Sequence, residues 1–551
     1  MREFEPELRD AKQLLGCLLE DLLHVQVLKV KWSMVRSKLL MLQTQLAVVC
    51  SLPASSSDPL AVELVASIAG SLAEASMLAQ SCRAQEFLEC GKLKVQSDVD
   101  AVLARVDKHA RECEVLLESG ILVDLPPSSA VPAQSDGLRR KMRKLIARLQ
   151  IGSPQSRTVA LDLLMELLND DDKIAMVAVS HGVIRALVRS LDSSEAAKEK
   201  LVGAIARVAV VDAGRVALLS EGLVLLNHLL RLLESGSSNA VEKACETLLV
   251  LSSSRENVLS IGSRGGVSSL LEICHSGTPA SQAYAAGVLN NVSVAEEVRE
   301  NMVEESAVTV LVRLITSGTP LAQQNSVSCL CNLVRDDEGL KISVVREGGI
   351  ECLKNFWDSD PSVKTLESAA ELVGFLATKE AISELLAANG WVERVAGVLS
   401  SGIVGLRIAG AGALFELLSR GTKKSKEMSE LKCISHLIGM LEGKTVEERE
   451  AAVKVLSILV TSAGNRRVFR KDDRGIINVV HLLNPALQDL DRRYPILVLS
   501  KLSDSKKCRK DMVDAGAKHY LKKLAETDAG AKNLLTVIGQ SKILRVFSRP
   551  S

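Results

Sequence analysis

The feature that most restricts this sequence is a period. A Gly-apolar step, or its equivalent, recurs at Gly182-Val183, Gly222-Leu223, Gly266-Val267, Ala307-Val308, Gly349-Ile350, Gly390-Trp391, Cys433-Ile434, Gly475-Ile476 and Gly516-Ala517, spaced 40 to 44 residues apart. A second mark, near the end of a Leu-rich helical run, falls at Glu166, Arg207, Val250, Asn291, Asn332, Phe375, Glu416, Ile458 and Lys501, spaced 41 to 43. Two marks that keep one period of about 42 residues define an array of about nine repeats. The clearest copy opens on Gly318-Thr319-Pro320, continues through a stripe of Val327, Leu330 and Leu333, and reaches Gly348-Gly349-Ile350. A Gly/Pro turn starts a helix there, and the Gly pair separates two more. Each stripe is too narrow for its helix to fold alone, so the copies must stack.

Composition agrees with such stacking. Hydrophobic residues make up 47% of the 551, yet aromatics only 2%, which leaves Leu, Val, Ala and Ile to build the core. Lys+Arg total 68 against 67 Asp+Glu, so the net charge of +1 gives no argument for nucleic acid or an acidic substrate. Twelve cysteines are scattered without a CxxC pair, and Cys329-x-Cys331 lacks further ligands at metal spacing. They read as small buried hydrophobes in a reducing compartment. The charged start, Met1 to Glu5, has no signal-peptide core, and Arg2 in place of Gly excludes N-myristoylation. No apolar run reaches membrane-spanning length, so no transmembrane segment is expected.

The first 120 residues do not share the period. Leu8, Leu14, Leu15, Leu18, Leu19 and Leu22 outline one amphipathic helix, and three more are expected over about 26–50, 60–80 and 95–118. They imply an up-down four-helix bundle over 1–122. Three prolines and two serines between Leu125 and Pro132 mark a linker, 123–136, before a repeat region of 137–547 and a short tail, 548–551.

No nucleotide-binding, hydrolase, zinc-protease or EF-hand motif is present, and no cofactor or metal is expected. His24 and His109 read as packed or solvated side chains, and His181 and His519 as turn or capping residues. The acidic run Asp170-Asp171-Asp172 reads as a solvated loop, because consecutive carboxylates point apart. Three basic stretches remain: Arg139 to Arg148, Lys423 to Lys426 and Lys506 to Lys510. The first is amphipathic and reads as the opening repeat helix with a wet face. An anionic lipid surface, a nuclear-import signal or an acidic partner is the alternative. Without interleaved aromatics, nucleic-acid binding is not expected.

Gln323-Gln324-Asn325-Ser326-Val327-Ser328-Cys329-Leu330-Cys331-Asn332-Leu333, Glu347-Gly348-Gly349-Ile350 and Ala285 to Ser293 carry a resemblance to the armadillo-repeat family. It covers roughly three quarters of the chain. It implies an all-α fold, a right-handed superhelix of three-helix units whose long third helices line a concave groove. Leu93 to Val99 and Arg111 to Leu117 resemble the helical N-terminal domain of plant U-box/armadillo proteins, and Ser541 to Arg549 the endings of plant armadillo-only proteins. No U-box segment lies between bundle and repeats, so ubiquitin-ligase activity is not implied.

Importin-α is similar in fold and reads basic peptides through a Trp-and-Asn ladder. Here the Asn rungs hold only Asn291 and Asn332. The Trp rungs hold Asp162, Gly203, Glu246, Gly287, Ser328, Glu371, Gly412, Lys454 and Leu497, so the slots for Lys stems are missing. Acidic Asp162, Glu166, Glu246, Glu371 and Glu416 give a weak preference for a basic peptide.

The expectation is a non-enzymatic scaffold that holds a partner peptide or helix in the groove. Asn291 and Asn332 would bond the peptide backbone, Gln324 would assist, and Ser328, Glu166, Arg207 and Glu416 would lie alongside. A substrate- or regulator-binding role in ubiquitin signalling and a peripheral membrane adaptor are the alternatives. A cytoplasmic place of action, with the nucleus as a second, is expected. The sequence leaves the oligomeric state open.

Overall fold

The computed structural model describes residues 4–52, 58–84, 92–123, 133–192, 195–420 and 433–546. Most of the expected linker, the Lys423 to Lys426 stretch and the whole of the expected tail, 548–551, lie outside them. The chain is 82% helical, and no strand occurs among the described residues. It divides into two compact units, Met1–Asn257 and Val258–Ser551.

The first unit begins with α1 (Phe4–Asp21), α2 (Lys29–Ser51), α3 (Pro59–Ala84) and α4 (Lys92–Glu118). Ion pairs fix their directions. Lys31 meets Asp100 at 2.5 Å and Lys38 meets Asp107 at 2.5 Å, so α2 and α4 run parallel. Asp21 and Arg83, at the ends of α1 and α3, meet at 3.2 Å, so these two are also parallel. Ser71 with His109 and Glu74 with Arg105 show α3 antiparallel to α4. Side-by-side packing therefore joins alternate helices, α1 on α3 and α2 on α4.

α3 is long and apolar enough, by length and composition, to cross a membrane, contrary to the expectation that no run would be. The helices Asp212–Ser220 and Gly222–Ser235 pass the same test together but bend by 92°. In the bundle Leu60, Leu64, Ile68, Leu72, Ala75 and Ala79 put one face of α3 into the core. A helix that packs against two others gains the apolar composition of a core helix.

The bundle core does not stop at α4. It takes in Ala147 and Ile151 of α5 (Ala133–Ile151). Buried Asp58 holds Lys144 at 2.9 Å, and Glu63 accepts the Ser153 N–H at 3.2 Å. The compact-unit division thus falls inside the repeats and not at the Pro/Ser segment. The unit continues with α6 (Pro154–Asp170), α7 (Asp172–Ser180), α8 (Val183–Ser190), α9 (Glu195–Val208), α10 (Asp212–Ser220), α11 (Gly222–Ser235) and α12 (Ser238–Leu251). Long helices α6, α9 and α12 pack in succession.

In the second unit the long helices are Pro279–Val292, Pro320–Val334, Val363–Ala377, Val404–Arg420, Val446–Leu459 and Arg493–Leu502. Each packs on the next, and Ala529–Val546 extends the series beyond the nine marks. Their starts explain the Gly/Pro turn. Thr319 is the N-cap, accepting the Ala322 N–H, and Pro320 takes the first helical position, where a missing N–H costs nothing. Thr278-Pro279 and Ser153-Pro154 repeat the device. Gly318 is needed for room, with a negative φ: a Cβ there would stand 2.6 Å from the Leu314 carbonyl oxygen.

The other glycine mark serves a left-handed backbone. Gly182, Gly265, Gly348, Gly390 and Gly516 have φ between 76° and 86°, and Ser306 takes the same role at 57°. This shifts the register read from sequence by one residue at three repeats. Gly182 corresponds to Gly265, Ser306 and Gly348, not to Gly266, Ala307 and Gly349. Gly349 is glycine because a Cβ would fall 2.5 Å from Val344 Cγ1.

Candidate partner-binding face

The long helices carry all seven residues expected in the groove, but not as one site. Asn332 is a bolt between repeats. Its Nδ2 donates to Ser293 Oγ at 2.9 Å and reaches Asn290 Oδ1 at 3.3 Å and the Asn290 carbonyl at 3.4 Å. Gln324 Oε1 accepts from Thr365 Oγ1 at 3.3 Å, and Ser328 bonds Ser368 at 3.1 Å, so both tie Pro320–Val334 to the next long helix. Asn291 is half-buried and also engaged. In the first unit Glu166 is exposed on α6, and Arg207 pairs with Asp172 at 3.1 Å. Glu416 lines a cleft.

That cleft, about 620 Å³, runs over Val363–Ala377, Val404–Arg420 and Val446–Leu459. Gly374, Gly412, Ala409 and Ala413 keep its floor low, with Phe375 and Phe415 beside them. Four carboxylates, Glu371, Glu416, Glu447 and Glu450, stand against two cations, Arg335 and Lys454. The cations already sit on rings. Arg335 lies 5.2 Å from the Phe375 centroid and Lys454 5.5 Å from that of Tyr494, which meets Phe415 edge-on at 5.7 Å. Lys454 also pairs with Glu450 at 2.6 Å. Glu371 is exposed as a residue, yet the cleft walls desolvate its carboxyl. That burial first, then Glu367, raises its pKa, against the pull of Arg335.

The ladder positions held the signal for this cleft. Glu371, Gly412 and Lys454 occupy three consecutive Trp rungs, and Phe375 an Asn rung. A search for indole on one rung misses a phenyl ring on the other, and it misses Phe415 and Tyr494, which lie off both rungs. Arg335 follows the end of its helix, where the period gives no guidance.

The remaining polar candidates have ordinary roles. His109 is buried between Ser71 Oγ at 2.9 Å and Glu112 Oε2 at 2.8 Å. Asp171 caps α7 by accepting the Lys173 N–H, and Asp172 takes the Arg207 pair. Among the described residues no group of three or more His, Cys, Asp or Glu is placed to hold a metal ion.

Comparison with known proteins fits this geometry. Residues 9–121 match a domain of unknown function, DUF7032. No curated protein matches the sequence. Among solved structures, an engineered protein from a structural-genomics consortium is 22% identical over 73% of this chain and 98% of its own, with a TM-score of 0.59. A chain from work on a phosphorylation switch in the interaction between cadherin and beta-catenin is 16% identical over 80% of this chain and 91% of its own, with a TM-score of 0.60. The fold is an armadillo-repeat α-solenoid preceded by a helical bundle. That is a class built around repeated surface, which sets the kind of function to look for.

Proposed function

We propose that this chain is a non-catalytic protein-interaction scaffold whose long-helix face takes a partner peptide or helix bearing Lys or Arg. The observation that carries this reading is the cleft over Val363–Ala377, Val404–Arg420 and Val446–Leu459, where carboxylates outnumber cations beside two phenyl rings. A ligand cation entering there meets Glu371, whose charge the cleft disfavours, and a ring face of the kind that Arg335 and Lys454 already use.

Gly412 supplies the test. It is exposed, and a Cβ added there would meet no atom within 4 Å, so Gly412→Leu starts a side chain from open space into the cleft. Leu also favours a helix interior over Gly by up to about 1 kcal/mol, so the fold should hold or gain. A displayed peptide library selected on the full chain should yield Lys- or Arg-bearing sequences that fail to bind Gly412→Leu. Peptides that bind the variant equally well, or that show no preference for cations, would refute the reading.

A further inference from the structure

We infer that a second cleft, between α4, α5, α8 and α10, is a binding site for a small phosphate monoester. The cleft holds about 470 Å³ and lies within the first unit. Its wall includes Arg143 from α5, His181 at the α7–α8 turn, and Arg185 and Arg189 from α8. Glu118 and Glu221 are its acids. Glu221 is occupied by Arg185 Nε at 3.1 Å.

The other donors lack acceptors. Arg143 Nε and His181 Nε2 are both shut off from water and make no hydrogen bond among the described residues. Such atoms are rare in folded proteins, because a buried donor loses water and gains nothing in return. Both residues line this one cleft. Arg189 is exposed at the same wall and has no carboxylate partner among the described residues. The positive field registers on His181, whose pKa is lowered by burial first, then by Arg143 and Arg139. A neutral imidazole still offers one N–H, and a ligand acceptor would select the tautomer that carries it at Nε2.

The donors also favour one anion shape. They come from three places in the fold, α5, the α7–α8 turn and α8. A planar carboxylate presents two oxygens in one plane. A phosphate monoester presents three around a tetrahedral centre, with nearly two negative charges. The remaining volume accommodates a sugar- or polyol-sized group. Such a ligand exists free in solution or as a lipid headgroup, and both offer the same atoms to the cleft.

The test uses the full chain. Inositol trisphosphate is titrated by calorimetry, with inorganic phosphate as competitor, and phosphatidylcholine vesicles are sedimented with and without phosphatidylinositol bisphosphate. The expected result is saturable, salt-sensitive binding of the soluble ligand. It should weaken about tenfold or more in Arg143→Gln and in Arg189→Gln, as for loss of a charged hydrogen bond. Arg346→Gln, an exposed cation in the other unit, should bind as the parent does. Arg189 is exposed, so its variant reports on binding even if Arg143→Gln disturbs packing. Vesicle binding that falls with the same two variants identifies the headgroup as the source, and soluble binding without vesicle binding identifies a free ligand. Absence of saturable soluble binding, equal binding by both cleft variants, or equal loss in Arg346→Gln overturns the proposal. Vesicle binding without soluble binding overturns it too, since bulk surface charge then suffices.

Discussion

Removing Arg407 should damage one repeat interface out of proportion to its place near the surface. Glu448, on Val446–Leu459, is 2% exposed. Its Oε1 takes Arg407 Nε at 2.9 Å and Arg407 Nη2 as well, and Arg407 Nη1 reaches the Ser401 carbonyl at 2.7 Å. Arg407→Leu strips two charge-assisted bonds from a buried carboxylate. At about 1.5–3 kcal/mol each that is roughly 3–6 kcal/mol, in line with the ~3–5 kcal/mol typical of a broken buried pair. Replacing both partners, Arg407→Leu with Glu448→Leu, removes the stranded charge and should recover most of the loss. Because repeat arrays share stability between neighbours, the readout is amide hydrogen exchange in Val404–Arg420 and Val446–Leu459, beside the guanidinium midpoint. A cost below about 1 kcal/mol for the single variant, the level of an exposed pair, would refute the argument. So would a double variant no better than the single one.

Asn332→Ala should loosen the contact between Pro279–Val292 and Pro320–Val334 by about 2 kcal/mol, since two amide protons serve three acceptors there. Faster exchange in both helices would show it, whereas weaker peptide capture at unchanged exchange would restore Asn332 as a groove contact. Burial pushes the thiols of Cys113, Cys245 and Cys329 up to about 12 from 9.0. These groups keep their protons in the fold while the unfolded chain releases them, so their contribution is whole below about pH 9 and is lost between 9 and 12. Stability should fall there by about 1.4 kcal/mol per pH unit for each such thiol. Melting temperatures at rising pH measure this, and an unchanged melt up to pH 10.5 would contradict it. At neutral pH, exposed Cys17 should react with a thiol reagent while these three stay protected until unfolding.

Periodicity exposed the fold because stacking demands it: a helix that buries a narrow stripe must meet its next copy at a fixed interval. The same logic placed Glu166, Arg207, Asn291, Asn332 and Glu416 on long helices. It did not reveal what each side chain touches. Asn332 looked like a ligand contact because an exposed rung and a bolt between repeats occupy the same position and differ only in whether Asn290 and Ser293 lie within reach. The one-residue slip at Gly266, Ala307 and Gly349 has a similar origin. Left-handed backbone tolerates Ser306, and steric room alone can demand Gly349, so a glycine pair does not say which member bears the turn. The phosphate cleft was partly visible as the basic run Arg139 to Arg148, but His181 and Arg189 join Arg143 only through tertiary packing.

The pairing of alternate bundle helices bears on how the chain emerges from the ribosome. α1 ends at Asp21, and its main partner, α3, starts at Pro59, with the whole of α2 between them. α2 must likewise wait for α4. Two greasy stripes are therefore presented together until α3 emerges, and the stripe of α2 stays open until α4 is finished. Nascent chains halted between α3 and α4 should engage holding chaperones far more than chains halted after α5.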